Sequence, residues 1–205
     1  VDILYENTFL IVAFKPPFLL VHDDGNNQDT LQARINGYLQ LNGNKYPAQA
    51  IHRIDYETSG LVLFCKHPFF QAYCDKNMEE HHIKKEYIAL VQGHTNYKNK
   101  KIISNIARDR HNAKKMIIHP NGKESISIFN TIKNYKDCSL IQVTILTGRK
   151  HQIRVQCASL NHPILNDSLY GGKITDNTGL LLQSHHIQFN DVDITCPQEK
   201  RFIRK

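Results

Sequence analysis

Asp55 stands in His52-Arg53-Ile54-Asp55-Tyr56-Glu57-Thr58-Ser59-Gly60, between a basic pair and a small polar turn. Ala50-Ile51 precede the segment and Leu61 to Cys65 follow it, so the carboxylate is expected on a loop feeding a buried strand. A loop aspartate most often serves an Asx-turn or a helix cap. Two neighbouring cations argue for chemistry, because they favour the charged form and keep a carboxylate competent as nucleophile or base. A second segment, Thr147-Gly148-Arg149-Lys150-His151-Gln152-Ile153-Arg154-Val155, is expected to leave a strand through Gly148 and enter a helix carrying Arg149 and Arg154. Cations sit poorly at a helix N-terminus, where the dipole is positive, so the pattern points to a buried carboxylate, phosphates, or both. A planar guanidinium forks onto either. A third segment, Lys84 to Gly93, puts Tyr87 on a strand, where a tyrosine more often packs than reacts.

Rival chemistries have less support. The adjacent pairs His81-His82 and His185-His186 would send their rings in different directions from a regular element, and no metal site is expected. A carboxylate hydrolase would need a second acid beside Asp55, for which Glu57 is the candidate. An RNA-binding module without turnover would use a basic surface but not Asp55, Tyr87 and Arg154 together. The chain has no Gly-rich phosphate loop and no Cys-x-x-Cys pair, so no cofactor is implied.

These residues must be positioned by a chain of 205 residues, 40% hydrophobic and 22% charged, which is ordinary globular composition. With no Pro/Gly-rich boundary and no repeat, a single domain over 1–205 is expected. No apolar run approaches the roughly 20 residues of a membrane helix. The five scattered cysteines read as reduced thiols of a cytoplasmic protein. A net charge of +7, with basic runs at Lys98 to Lys101, Arg108 to Arg110, Lys114-Lys115 and Arg149 to His151, favours a polyanionic partner.

Strands are expected at 3–5 and 10–14, then a helix N-capped by Asp29 with Leu31, Ile35 and Leu39 as its inner stripe. A buried strand follows at 60–65, then a helix at 69–80 with Ala72, Tyr73 and Met78 inward. Further strands are expected at 86–92, 126–129, 138–146 and 180–189, with a helix at 151–160. The uneven spacing of helices predicts an α+β fold around a mostly antiparallel or mixed central sheet, flanked by helices and loops.

Taken in order, the segments resemble the RluA-type family of RNA pseudouridine synthases. The opening, Ile3 to Glu6 through Phe14-Lys15-Pro16-Pro17 to Val21-His22, resembles the family's first motif. The Asp55 nonamer, the Lys84–Gly93 strand and the Gly148–Arg154 block resemble later ones. His162 to Asp167, Tyr170-Gly171-Gly172 and Leu180 to Ser184 complete the pattern, which spans about Ile3 to Pro197. Tyr56 stands where many members carry Arg, Gln156-Cys157 replace a usual His and apolar residue, and Gln183-Ser184 replace a usual His-Ala pair. The resemblance implies a pseudouridine synthase catalytic fold of the compact, catalytic-domain-only kind. It implies isomerisation of a specific uridine in structured RNA, an rRNA or tRNA stem-loop. Asp55 would initiate glycosidic cleavage, Tyr87 would lie beside the target base, and Arg154 would pair with Asp55 and orient it. Arg53 and Arg149 would bind the RNA and Leu182 would pack on the base or ribose. Neither metal nor cofactor is implied, neither DNA nor membrane is expected as a partner, and a monomer is the default. The uridine must be extruded from its stack, which costs a few kcal/mol and least in loops.

Overall fold

The computed structural model describes residues 1–25 and 29–204. In chain order the strands and helices are β1 (Asp2–Glu6), β2 (Leu10–Lys15), α1 (Leu31–Leu41), β3 (Gln49–Ala50), β4 (Ser59–Cys65), α2 (Pro68–Glu79) and β5 (Lys84–Gln92). Then come β6 (Lys100–Arg108), β7 (Met116–Ile118), β8 (Lys123–Asn134), β9 (Cys138–Ile145), α3 (Gln152–Ser159), β10 (Leu182–Phe189) and β11 (Val192–Thr195). They fall into two compact units, Val1–Lys84 with Ser184–Pro197, and Lys85–Gln183 with Gln198–Lys205.

In the first unit the strand order is β1-β2-β4-β10, with β3 beside β4 and β11 beside β10. The pairings β1–β2, β2–β4, β3–β4 and β10–β11 are antiparallel. All seven residues of β4 are buried, which is why its sequence reads as a run and not as an alternation. The stripe Leu31, Ile35 and Leu39 of α1 is buried as expected. Its N-cap, however, is Thr30 and not Asp29: Thr30 Oγ1 accepts from the Ala33 amide at 3.1 Å. Asp29 is instead forked onto Arg34 at 2.8 and 2.7 Å. Helix α2 also differs from expectation. Its buried residue is Cys74, with Phe70 and Met78 packed on the same core, while Ala72 and Tyr73 are exposed. The true stripe runs through 70, 74 and 78, with a cysteine acting as a small hydrophobe at its centre. That core gathers Leu10, Val12, Leu61, Leu63, Ile187 and Phe189.

In the second unit the order is β5-β9-β8-β6-β7, antiparallel throughout. Strands β6 and β7 were not anticipated. Their residues are mostly half-buried or exposed, and β6 carries no clean alternation while β7 has only three residues. Strand β8 runs to 12 residues because both its edges are paired. Helix α3 begins at Gln152, so Arg149 lies on the preceding turn and only Arg154 is helical. His151 caps the helix in a left-handed conformation, φ 54°. Helix α3 packs on β6 and β7 around Ile106, Val155 and Tyr170. All five cysteines are free and buried. Among the described residues no helix is long and apolar enough to cross a membrane.

Candidate active site

Asp55 opens a tight turn in the first unit. Its carbonyl accepts from the Thr58 amide at 3.1 Å, and its residue is half-buried. The turn is fastened by Lys15, the last residue of β2, which is 0% exposed. Lys15 Nζ donates to the carbonyls of Pro16 at 2.9 Å, Leu19 at 2.7 Å and Tyr56 at 3.1 Å. An ammonium so deeply buried requires such a cage of oxygens. The Phe18 amide also donates to the Tyr56 carbonyl at 2.8 Å, and the Phe18 and Tyr56 rings meet edge to face, centroids 5.9 Å apart. Beyond the turn, Gly60 has φ +112°, and a Cβ there would lie 2.1 Å from the Ser184 carbonyl oxygen. Only glycine lets β4 leave the turn so close to β10. Before it, the Leu63 amide donates to His52 Nε2 at 3.2 Å, which gives this buried histidine a structural role. Arg53 is exposed, its Nη1 3.3 Å from His22 Nε2. Burial, with the Arg53 charge second, holds the His22 pKa below its ordinary value.

In the second unit Tyr87 lies in the middle of β5, buried, opposite Val143 of β9. Lys85 shares its face two residues earlier, and burial pushes the lysine pKa down to about 8. Arg154 is buried on α3. Its Nε and Nη2 each donate to the Asp167 carboxylate at 2.8 Å, a fork onto a wholly buried acid. The guanidinium also lies 5.2 Å from the centre of the Tyr170 ring. Tyr170 is itself held: its hydroxyl accepts from the Met116 amide at 2.8 Å and meets His151 Nδ1 at 2.9 Å. A Cβ on Gly172 would lie 1.9 Å from the Ile164 carbonyl oxygen, so this close turn admits glycine alone. Gln152 ties the preceding turn to the helix. Its Oε1 accepts from Thr147 Oγ1 at 2.9 Å and the Arg149 amide at 3.0 Å, and its Nε2 donates to Ser127 Oγ at 2.8 Å. Arg149 projects outward, with Nε donating to the Glu124 carbonyl at 2.9 Å. Leu182 opens β10, 4% exposed.

Asp55 and Arg53 thus belong to the first unit, and Tyr87, Arg149, Arg154 and Leu182 to the second. Sequence reasoning assigned no role to Lys15, Asp167, Tyr170 or Gln152. Lys15 had a signal, a lysine ending an apolar run directly before two prolines. Asp167 had a weaker one, an acid just after the apolar pair Ile164-Leu165. Among the described residues no group of three or more His, Cys, Asp or Glu is placed to hold a metal ion.

A profile of the RNA pseudouridylate synthases matches residues 9–159, which include Asp55, Tyr87 and Arg154. The chain belongs to this family. It is 36% identical over 174 residues to the uncharacterized RNA pseudouridine synthase YhcT of Bacillus subtilis, covering 83% of this chain and 58% of that protein. It is 37% identical over 182 residues to ribosomal large subunit pseudouridine synthase C of Buchnera aphidicola, covering 85% of this chain and 55% of that one. The chain therefore spans little more than half the length of these relatives. The fold matches human RNA pseudouridylate synthase domain containing 1 with a TM-score of 0.80, at 22% identity, over 96% of this chain and 83% of that chain. The α+β pseudouridine synthase fold expected from the RluA-type motifs is thus the one observed.

Proposed function

We propose that this chain isomerises a uridine of structured RNA to pseudouridine, with Asp55 as the catalytic carboxylate. What carries the reading is a half-buried aspartate on a turn clamped by a caged lysine, inside a segment that matches the pseudouridylate synthase family. The reaction breaks the bond from ribose to the uracil nitrogen and forms one to carbon 5. The carbon-5 proton leaves and the freed ring nitrogen gains one, so atoms and charge balance without a cofactor. In this reading Tyr87 lies against the base and assists removal of the carbon-5 proton, Arg154 pairs with Asp55, Leu182 packs on base or ribose, and Arg53 and Arg149 hold RNA phosphates. Ribosomal RNA is the substrate we favour, supported by the Buchnera relative named for the large ribosomal subunit. We place the protein in the cytoplasm, a reading supported by its five free, buried cysteines and tested by fractionation, and take a monomer as the default, which sedimentation tests. Tritium release from carbon-5-labelled uridine in ribosomal RNA tests the activity. Release above a no-enzyme control is expected; RNA binding without release would leave a binding module.

A further inference from the structure

The hairpin of β6 and β7 builds a cleft that the proposed chemistry does not use. Strand β7 pairs with the end of β6 from Ile106↔Ile118 to Arg108↔Met116. The connecting turn is closed by the Asp109 amide donating to the Lys115 carbonyl at 3.0 Å and by Arg108 Nε donating to the Ala113 carbonyl at 3.2 Å. The next turn, from β7 to β8, lies flush on β6: a Cβ on Gly122 would meet the Ile106 carbonyl carbon at 2.6 Å. Between the two turns is a cleft of about 370 Å³ edged by Arg108, Arg110, His111, His119 and Asn121.

Its charge is one-sided. The eight residues 108–115 carry Arg108, Arg110, Lys114 and Lys115 against one acid, Asp109. None of the four cations is in an ion pair among the described residues. Asp109 also lines the cleft, and its Oδ1 is engaged by the His111 amide at 2.8 Å in an Asx-turn. The Asn121 amide donates to His119 Nδ1 at 3.2 Å, which leaves the proton of the neutral ring on Nε2 as a donor. Unpaired like charges this close repel one another, and a concave basic surface concentrates positive potential. Two guanidinium forks and an imidazole N–H form a donor set suited to phosphate oxygens.

We propose that this cleft seats a backbone phosphodiester of the RNA substrate, a contact that supplies affinity and register and takes no part in the isomerisation. It rests on the RNA reading above. The probe is a fluorescent oligouridylate of about 20 nucleotides, whose affinity is measured against salt for the wild type and Arg108→Ala/Arg110→Ala. Single-stranded RNA contributes a log–log slope of about −0.7 per phosphate neutralised, so loss of two contacts should flatten the slope by about 1.4. Arg108→Lys/Arg110→Lys should keep the slope and weaken binding, because the charge stays and the fork is lost. If the double alanine variant melts early, Arg110→Ala carries the test with a flattening of about 0.7, since Arg110 is exposed and makes no side-chain bond among the described residues. An unchanged slope in a folded variant overturns the proposal. Inorganic phosphate shifting the His119 ring resonances while the variant's RNA slope stays unchanged also overturns it, and makes the cleft a seat for free phosphate. Tritium release is measured in parallel; a flattened slope without release upholds the cleft and rejects the isomerase.

Discussion

Lys15 Nζ lies 3.1 Å from the carbonyl oxygen of Tyr56, so a wholly buried cation at the end of β2 holds the residue next to Asp55. Its Nζ also donates to the carbonyls of Pro16 and Leu19. Lys15 shares the Tyr56 carbonyl with the Phe18 amide, so this side chain and that amide together hold the turn. Lys15→Met keeps the aliphatic stem and removes the donors. The Tyr56 carbonyl keeps the Phe18 amide, but the buried Leu19 carbonyl loses this donor, and a buried acceptor left without a partner costs about 1–3 kcal/mol. The expected outcome is a clear drop in unfolding free energy and a fall in kcat larger than any change in KM. A variant with wild-type melting and turnover would leave Lys15 no role in placing Asp55.

Asp55→Asn keeps the shape of the side chain and removes its charge. Tritium release is expected to vanish while RNA affinity and melting temperature stay near wild type. Release at a rate near wild type would take the reaction away from Asp55.

Arg154 is to be tested against two acids. Its fork on Asp167 is buried on both sides, and removing one partner from such a pair costs roughly 3–5 kcal/mol. Arg154→Ala is expected to lose stability on that scale. Adding Asp167→Asn should recover part of the loss, because no unpaired buried charge remains. A second cycle, Arg154→Ala with Asp55→Asn, tests the proposed catalytic pairing. Coupling in both cycles is the expected result; strict additivity with Asp55 would confine Arg154 to its bond with Asp167.

Lys85 makes stability depend on pH. Its folded pKa is lowered to about 8 from 10.5 by burial, so between those values the unfolded chain holds a proton that the folded chain has released. The cost of burying the charge is therefore full below pH 8 and is relieved as pH rises towards 10.5. The buried thiols Cys74 and Cys157 and the phenol of Tyr97 have raised pKa values and act in the opposite sense. Subtracting Lys85→Met cancels them. The stability of the wild type relative to that variant should rise by about 3 kcal/mol at most across the window, a shift of one pKa unit being about 1.4 kcal/mol. A flat difference in denaturant melts would show that Lys85 is not desolvated.

The local patterns carried much of this protein. The stripe Leu31, Ile35 and Leu39 and the run that became β4 were legible because each follows from the side-chain period of its element. The family motifs, and Asp55 within them, were legible because their residue types and spacing persist in one dimension. Strands β6 and β7 were not, since β6 opens on two lysines without an apolar alternation and β7 is only three residues long. Helix α2 was placed correctly and its Met78 does face the core, but Ala72 and Tyr73 were chosen over Phe70 and Cys74, because Cys74 does not announce itself as a core residue.

The partners of the buried charges were decided by tertiary structure alone. Nothing at Lys15 names the Tyr56 carbonyl, 41 residues away, and nothing at Arg154 names Asp167. Sequence shows that a lysine or an arginine stands among apolar neighbours, and so that it needs compensation. Which oxygen supplies it depends on how strands and turns pack, because a buried charge is satisfied by whatever dipole or acid the fold brings within about 3 Å.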